Sequence, residues 1–293
     1  MKTVIKKLKI CLITVFSFFL FASVKAQTME QTLLFAHDQV QLNNYSVAIN
    51  AYQRVLFFEK HQYYPEIYSQ LGDCYFEICN YEKAAEYYDL AYYSLKNDSL
   101  KNEVLFKKTA SLLLVNNYKF ALLELFSLND ALPEYFEQKK HFYFGITYFG
   151  LKQFDLSESH FLQIFNDDDT LQRSQLKKLF IKNKRIDRVK PKTAKILSMI
   201  LPGLGQFYSG DIKNGLNSFL LIGAFAALYI NTSINFSILE AYISVFPWYQ
   251  RYYIGGFKRA EINAINRIEE KRAFVYQELI KTIESTKSDK HLQ

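Results

Sequence analysis

Asn80-Tyr81-Glu82-Lys83-Ala84 decides how this chain is read, because the phrase recurs. Asn44-Tyr45-Ser46-Val47-Ala48 precedes it and Asn117-Tyr118-Lys119-Phe120-Ala121 follows it. A degenerate fourth copy reads Gln153-Phe154-Asp155-Leu156-Ser157. The aromatic positions lie 36, 37 and 36 residues apart. A period of this size marks a stacked array, in which each unit buries its apolar face only against its neighbours. Such arrays present long concave surfaces to other proteins, so the sequence speaks of binding and location more than of reaction chemistry.

The residues around each echo agree with paired helices. Ala36, Ala48, Gly72 and Gly145 are small where two helices approach closely, and Tyr and Phe fill the gaps between repeats. Thr109 stands at the corresponding place in the third copy. Asn43-Asn44, Asn80 and Asn116-Asn117 mark turns, because Asn tolerates left-handed backbone and bonds its own chain. Pro65 suits a first helical turn, where no amide donor is needed. Tyr68, Leu71, Gly72, Tyr75, Tyr81, Ala84, Tyr88 and Ala91 make the second copy the fullest one.

On these residues the stretch 29–170 resembles the tetratricopeptide (TPR) repeat, a helix-turn-helix unit, in about four copies. The resemblance implies an all-α, TPR-like helical solenoid. It also implies that the first helix of each pair lines a concave face. Here that face would show Leu33, His37, Val40, Glu66, Asp73, Phe76 and Glu77, then Glu103, Phe106, Leu113 and Leu114, then Phe142, Ile146 and Phe149. The expected partner is an extended or helical protein segment with apolar anchors and Lys or Arg. Residues 171–186 are expected to form a more polar capping helix.

Charge and hydropathy divide the rest. Residues 1–26 read as a secretory signal: Lys2, Lys6, Lys7 and Lys9, an apolar run from Ile10 to Ala22, then Val24 and Ala26 before a cut ahead of Gln27. An uncleaved anchor is the alternative. Residues 27–172 hold 11 basic and 20 acidic side chains, net −9; residues 173–293 hold 20 and 9, net +11. A basic segment beside apolar helices favours an anionic membrane surface over nucleic acid. The stretch 177–195 is also basic enough to dock intramolecularly in the acidic groove. Cys74 and Cys79, five apart on one helix, face different sides and read as two thiols, not a disulfide.

The tail is punctuated by Pro202-Gly203-Leu204-Gly205-Gln206-Phe207-Tyr208-Ser209-Gly210-Asp211. Glycines let the backbone bend or pack tightly. Gln206, Tyr208 and Asp211 are placed to partner freed backbone groups; a lipid headgroup or ion site is the competing reading. Pro202, Gly203, Gly205, Gln206, Tyr208, Gly210 and Asp211 thus form the motif of a membrane turn. Residues 194–208 read as a short helix entering or lying on a membrane. Residues 212–231 and 234–255 read as a transmembrane hairpin with Trp248, Tyr249, Tyr252 and Tyr253 near its end. Lys258 to Ser285 reads as an amphipathic helix. This stretch resembles an uncharacterised family of bacterial envelope membrane proteins, in which such a hairpin trails a signal and TPR repeats. The expected organisation is therefore 1–26 signal, 27–172 repeats, 173–192 basic linker, 193–256 hairpin and 257–293 amphipathic tail. Basic flanks at 177–195 and 251–272 would face the cytoplasm by the positive-inside rule, whereas an exported array puts the first flank outside.

No catalytic pattern is visible. His37, His61, His141, His160 and His291 lack metal-ligand spacing, and no nucleophile elbow is present. The glycines carry no Gly-Lys-Ser/Thr and so make no phosphate loop. Asp167-Asp168-Asp169 reads as a solvated loop. The expected function is a non-enzymatic, cofactor-free scaffold of the bacterial cell envelope, anchored in the membrane. The alternative gives the hairpin the active role, in membrane biogenesis or in handling lipids or ions.

Overall fold

The structure, a computed structural model, describes residues 28–58, 65–128 and 133–290. Residues 1–27, where the signal reading falls, lie outside the described residues. Fourteen helices and no strand occur among the described residues. The chain divides into two compact units, the first ending at Lys152 and the second starting at Gln153. The expected repeat boundary at 172 falls inside the second unit, so the fourth copy contributes one helix to each.

The first unit contains α1 (Met29–Gln41), α2 (Tyr45–Phe58), α3 (Pro65–Glu77), α4 (Tyr81–Ser94), α5 (Asp98–Leu114), α6 (Tyr118–Phe126) and α7 (Glu134–Gly150). It is a TPR-like all-α solenoid, built of helices that pack as consecutive pairs. The echo in the sequence is an echo in the backbone. Asn43, Cys79, Asn116 and Lys152 have φ of 59°, 59°, 58° and 61°, and each sits two residues before the repeated aromatic. The turns close alike: Asn43 N–H donates to Val40 O, Cys79 to Phe76, Asn116 to Leu113 and Lys152 to Phe149. The next amides, on Asn44, Asn80 and Asn117, donate to Gln39, Tyr75 and Leu112. This is the double bond pattern of a left-handed helix stop. Asparagine does more than tolerate the conformation: Tyr45 and Tyr118 hydroxyls donate to Asn43 and Asn116 Oδ1 at 2.8 and 2.7 Å.

Close helix approach follows from the small residues. Ala36, Ala48, Ala84, Ala91 and Ala121 are fully buried. A Cβ on Gly72 would lie 2.5 Å from the Tyr88 ring, so the glycine is what lets that ring seat. Thr109 fits because its hydroxyl, fully buried, donates to Leu105 O at 2.8 Å.

The second unit contains α8 (Phe154–Leu162), α9 (Thr170–Ile186), α10 (Pro191–Ile200), α11 (Leu204–Ser209), α12 (Ile212–Asn235), α13 (Ile238–Ser244) and α14 (Phe246–Lys290). The expected helix over 171–186 is α9, and it is built into this unit's core. Leu176 and Phe180 are fully buried, Ile186 nearly so, and Phe180 packs on Phe161 with ring centroids 6.3 Å apart. The apolar side chains of this helix are thus taken within its own unit.

The expected hairpin differs in its second arm. α12 is continuous for 24 residues, but Phe236 leaves helical backbone and Ser237 caps a new seven-residue helix through Glu240 N–H. Pro247 then sits in the first turn of α14, where a missing amide costs nothing. From there one 45-residue helix runs through Gly255-Gly256, joining the expected arm to the expected amphipathic tail. α12 and the start of α14 are antiparallel neighbours. Asn263 reaches Asp211, Phe225 stacks on Tyr252 at 5.1 Å, and Tyr229 meets Phe246 at 6.5 Å.

Candidate functional sites

In the first unit an open groove of about 500 Å³ runs across α1, α3, α5 and α7, with edges from α2 and α4. These four are the first helices of successive pairs. Val40, Phe76, Ala110 and Tyr143 give it apolar surface, and Asp73, Glu77, Glu103, Lys107 and Lys139 give it charge. The charges are ordered. Lys107 Nζ donates to both Asp73 carboxylate oxygens at 2.8 and 2.9 Å, and Lys139 Nζ to both oxygens of Glu103 at 2.9 Å. Each pair joins the first helix of one repeat to that of the next, at separations of 34 and 36 residues. At 20–43% side-chain exposure these pairs contribute modestly, about 1 kcal/mol or less each. Their effect is to register the helices and to neutralise two of the three groove acids. Glu77, exposed, has no ion pair among the described residues.

Tyr88 donates to Asp73 at 2.7 Å, and burial, then the Asp73 charge, pushes its pKa far above the usual tyrosine value, so it stays a donor. Burial, then Asp73, pushes the Cys74 thiol up to about 11, so it is neither thiolate nucleophile nor ready metal ligand at neutral pH. Both Cys74 and Cys79 are free thiols. No cluster of residues able to hold a metal ion occurs among the described residues.

Of the expected partner-facing residues, Val40, Asp73, Phe76, Glu77 and Glu103 line this groove. Two are corrected. Phe106 is fully buried, stacked on Phe136 at 5.9 Å, and Phe149 is 7% exposed, so both are core. His37 is turned to Tyr52, whose hydroxyl lies 3.2 Å from its Nδ1. Leu33 packs half-buried on the repeat core. Glu66 is exposed, and Leu113, Phe142 and Ile146 are half-buried, outside the lining. Tyr45, Lys107, Lys139 and Tyr143 were not foreseen. The acid–lysine spacing of one repeat length was the available signal for the two lysines.

In the second unit the glycine-rich turn folds into a packed polar knot. Gly203 and Gly210 have φ of +89° and +83°. A Cβ on Gly203 would lie 2.3 Å from Gly215 O, and one on Gly205 would lie 1.8 Å from Ala194 O. Ser198 Oγ accepts from Gly205 N–H at 2.9 Å and donates to Gln206 Oε1 at 2.8 Å. Gln206 Nε2 donates to Gly256 O at 3.1 Å. Tyr208 hydroxyl donates to Arg188 O at 3.1 Å and accepts from Lys190 N–H at 3.2 Å. Asp211 caps α12 through Asn214 N–H and accepts from Asn214 Nδ2 at 2.7 Å and Asn263 Nδ2 at 3.0 Å. Through Asn214 and Asn263 that carboxylate fastens the start of α12 to α14. Pro202, half-buried, precedes the turn.

α12 is the one helix among the described residues long and apolar enough to cross a membrane, with mean hydropathy 1.4 over its most apolar stretch. It is not a core helix. Leu216, Phe219, Leu220, Leu228 and Ile230 are exposed, as are Phe236, Ile238, Leu239 and Ile243 after it. Glu240 is exposed on α13.

No protein-family model matches the chain, and no curated protein matches it. Among solved structures, a TPR repeats protein from Bacteroides fragilis is similar at 16% identity, covering 86% of this chain and 99% of that one, with a TM-score of 0.36. So remote a likeness carries no argument; the fold description rests on the helix pairs and their four matching turns.

Proposed function

We propose that this chain is a non-catalytic scaffold of the bacterial cell envelope, held at the membrane by its second unit and binding a partner protein segment along the groove of its first. The observation that carries the reading is the groove itself: apolar surface across four first helices, with Glu77 in no ion pair among the described residues. The segment that fits is extended or helical, with apolar anchors for Val40 and Phe76 and a Lys or Arg for Glu77. The exposed apolar surface of α12 and α13 supports membrane attachment, because monomeric soluble proteins rarely expose large contiguous apolar patches. The rival reading makes the second unit the working part.

A photo-crosslinking residue placed at Phe76 in the full-length protein tests the proposal in cells. Crosslinked peptides should carry an apolar residue next to a Lys or Arg. The substitution Glu77→Lys should cut the yield about tenfold, since one desolvated charge reversal is worth about 1.4 kcal/mol or more. Crosslinks that ignore Glu77→Lys, or that map to acidic peptides, contradict it.

A further inference from the structure

We infer that the cleft between α9 and the middle of α14 binds an anionic amphiphile, a molecule with a phosphate or carboxylate head and a hydrocarbon chain. The cleft encloses about 470 Å³, a size typical of small-molecule sites. Its floor is apolar, from Ile186, Val189 and Ile268. Its rim is basic: Lys182, Arg185, Arg267 and Lys271 stand against Glu270 alone.

Several bases of this unit are held by acids. Lys184 is bonded to Asp155 at 2.7 Å, Lys195 to Glu261 at 2.9 Å, and Arg272 to Asp187. In the cleft itself Glu270 is the one acid of the lining. Lys182 lies over the Phe274 ring, 4.6 Å from its centroid, and Arg267 approaches Asp211 only to 4.0 Å. Arg185 and Lys271, both exposed, make no ion pair among the described residues. Like charges gathered on one rim repel, and an anionic head relieves that repulsion. Guanidinium groups suit such a head because their planar fork bonds phosphate or carboxylate in two places. A bare anion would need no apolar floor, and a bare hydrocarbon would need no basic rim. The pair together select a ligand that has both. The contact of Arg267 with Asp211, the cap of α12, puts one wall of the cleft at the polar end of the unit's apolar helix.

The full-length protein in neutral detergent, titrated with lysophosphatidylglycerol, lysophosphatidylcholine and glycerol phosphate, tests this by native mass spectrometry. The anionic lysolipid should bind at least about fivefold more tightly than the zwitterionic one, given roughly fivefold per surface cation engaged. Glycerol phosphate, which has the head without the chain, should be weaker by a similar factor. The double substitution Arg185→Gln, Lys271→Gln should bring the two lysolipids level without lowering the unfolding temperature, because neither side chain is buried or paired. Equal affinity for both lysolipids in the unmodified protein, glycerol phosphate binding as tightly as the lysolipid, or a double variant that keeps the preference overturns the inference. Neither bilayer nor protein partner enters the measurement, so its outcome is independent of the scaffold proposal.

Discussion

Gly205→Ala should unfold the second unit. The added methyl would sit 1.8 Å from Ala194 O and 2.5 Å from Ser198 Oγ. The first of these is backbone in the middle of α10, which cannot step aside without opening the contact of α10 with α11. The same shift breaks the bond from Gly205 N–H to Ser198 and, through Ser198, the bond to Gln206. A buried backbone clash with two buried polar bonds lost belongs to the rare class of substitutions costing more than about 4 kcal/mol. Thermal unfolding of the full-length protein in detergent, followed by helicity and protease resistance of the second half, reads it. Two other glycines calibrate the result. Gly210→Ala meets nothing within 4 Å but must hold φ at +83°, so it should cost only about 1–2 kcal/mol. Gly223→Ala, in open space within α12, should be neutral or stabilise by up to about 1 kcal/mol. If Gly205→Ala behaved like Gly210→Ala, the packed turn described above would be wrong.

Tyr88→Ala should be the most damaging single truncation in the first unit. The ring is 2% exposed and lies against Gly72, where no larger residue fits. Deleting a buried aromatic of this size costs about 3–5 kcal/mol, from lost transfer energy and the cavity left behind. The hydroxyl adds a separate, smaller part. Tyr88→Phe should cost about 1 kcal/mol, as Asp73 is 43% exposed and keeps Lys107 as a partner. Chemical denaturation of both variants gives the two numbers. A Tyr88→Ala loss no greater than that of Tyr88→Phe would mean the ring does not seat where the repeat period places it.

The repeat half was legible because its information is local and periodic. One αL residue, one aromatic two places on and one residue at the close approach on the neighbouring helix recur every 36 or 37 residues, and the αL residue closes the same backbone turn in every copy. Which aromatics are floor and which are core was not legible. Phe76 and Phe106 both lie on first helices, yet only Phe106 is fully covered, with Phe136 stacked on it. The tail was half legible. Its glycines mark a real turn, and Gln206, Tyr208 and Asp211 do bond across it. The second arm misled because Gly255-Gly256 looks like a boundary. In fact Gly256 sits inside α14 and gives its carbonyl to Gln206, fifty residues earlier. Contacts at that separation leave no local mark in a sequence.

The single tryptophan, Trp248, sits in the first turn of α14 beside the exposed apolar face and is half exposed. It therefore reports on whether that face enters lipid. The full-length protein, reconstituted in vesicles, is measured with brominated phospholipids and with aqueous iodide as alternative quenchers. Membrane anchoring through α12 predicts a blue-shifted emission, strong quenching by the bromolipid and little by iodide. Emission typical of an indole in water, quenched by iodide and untouched by the bromolipid, would contradict it.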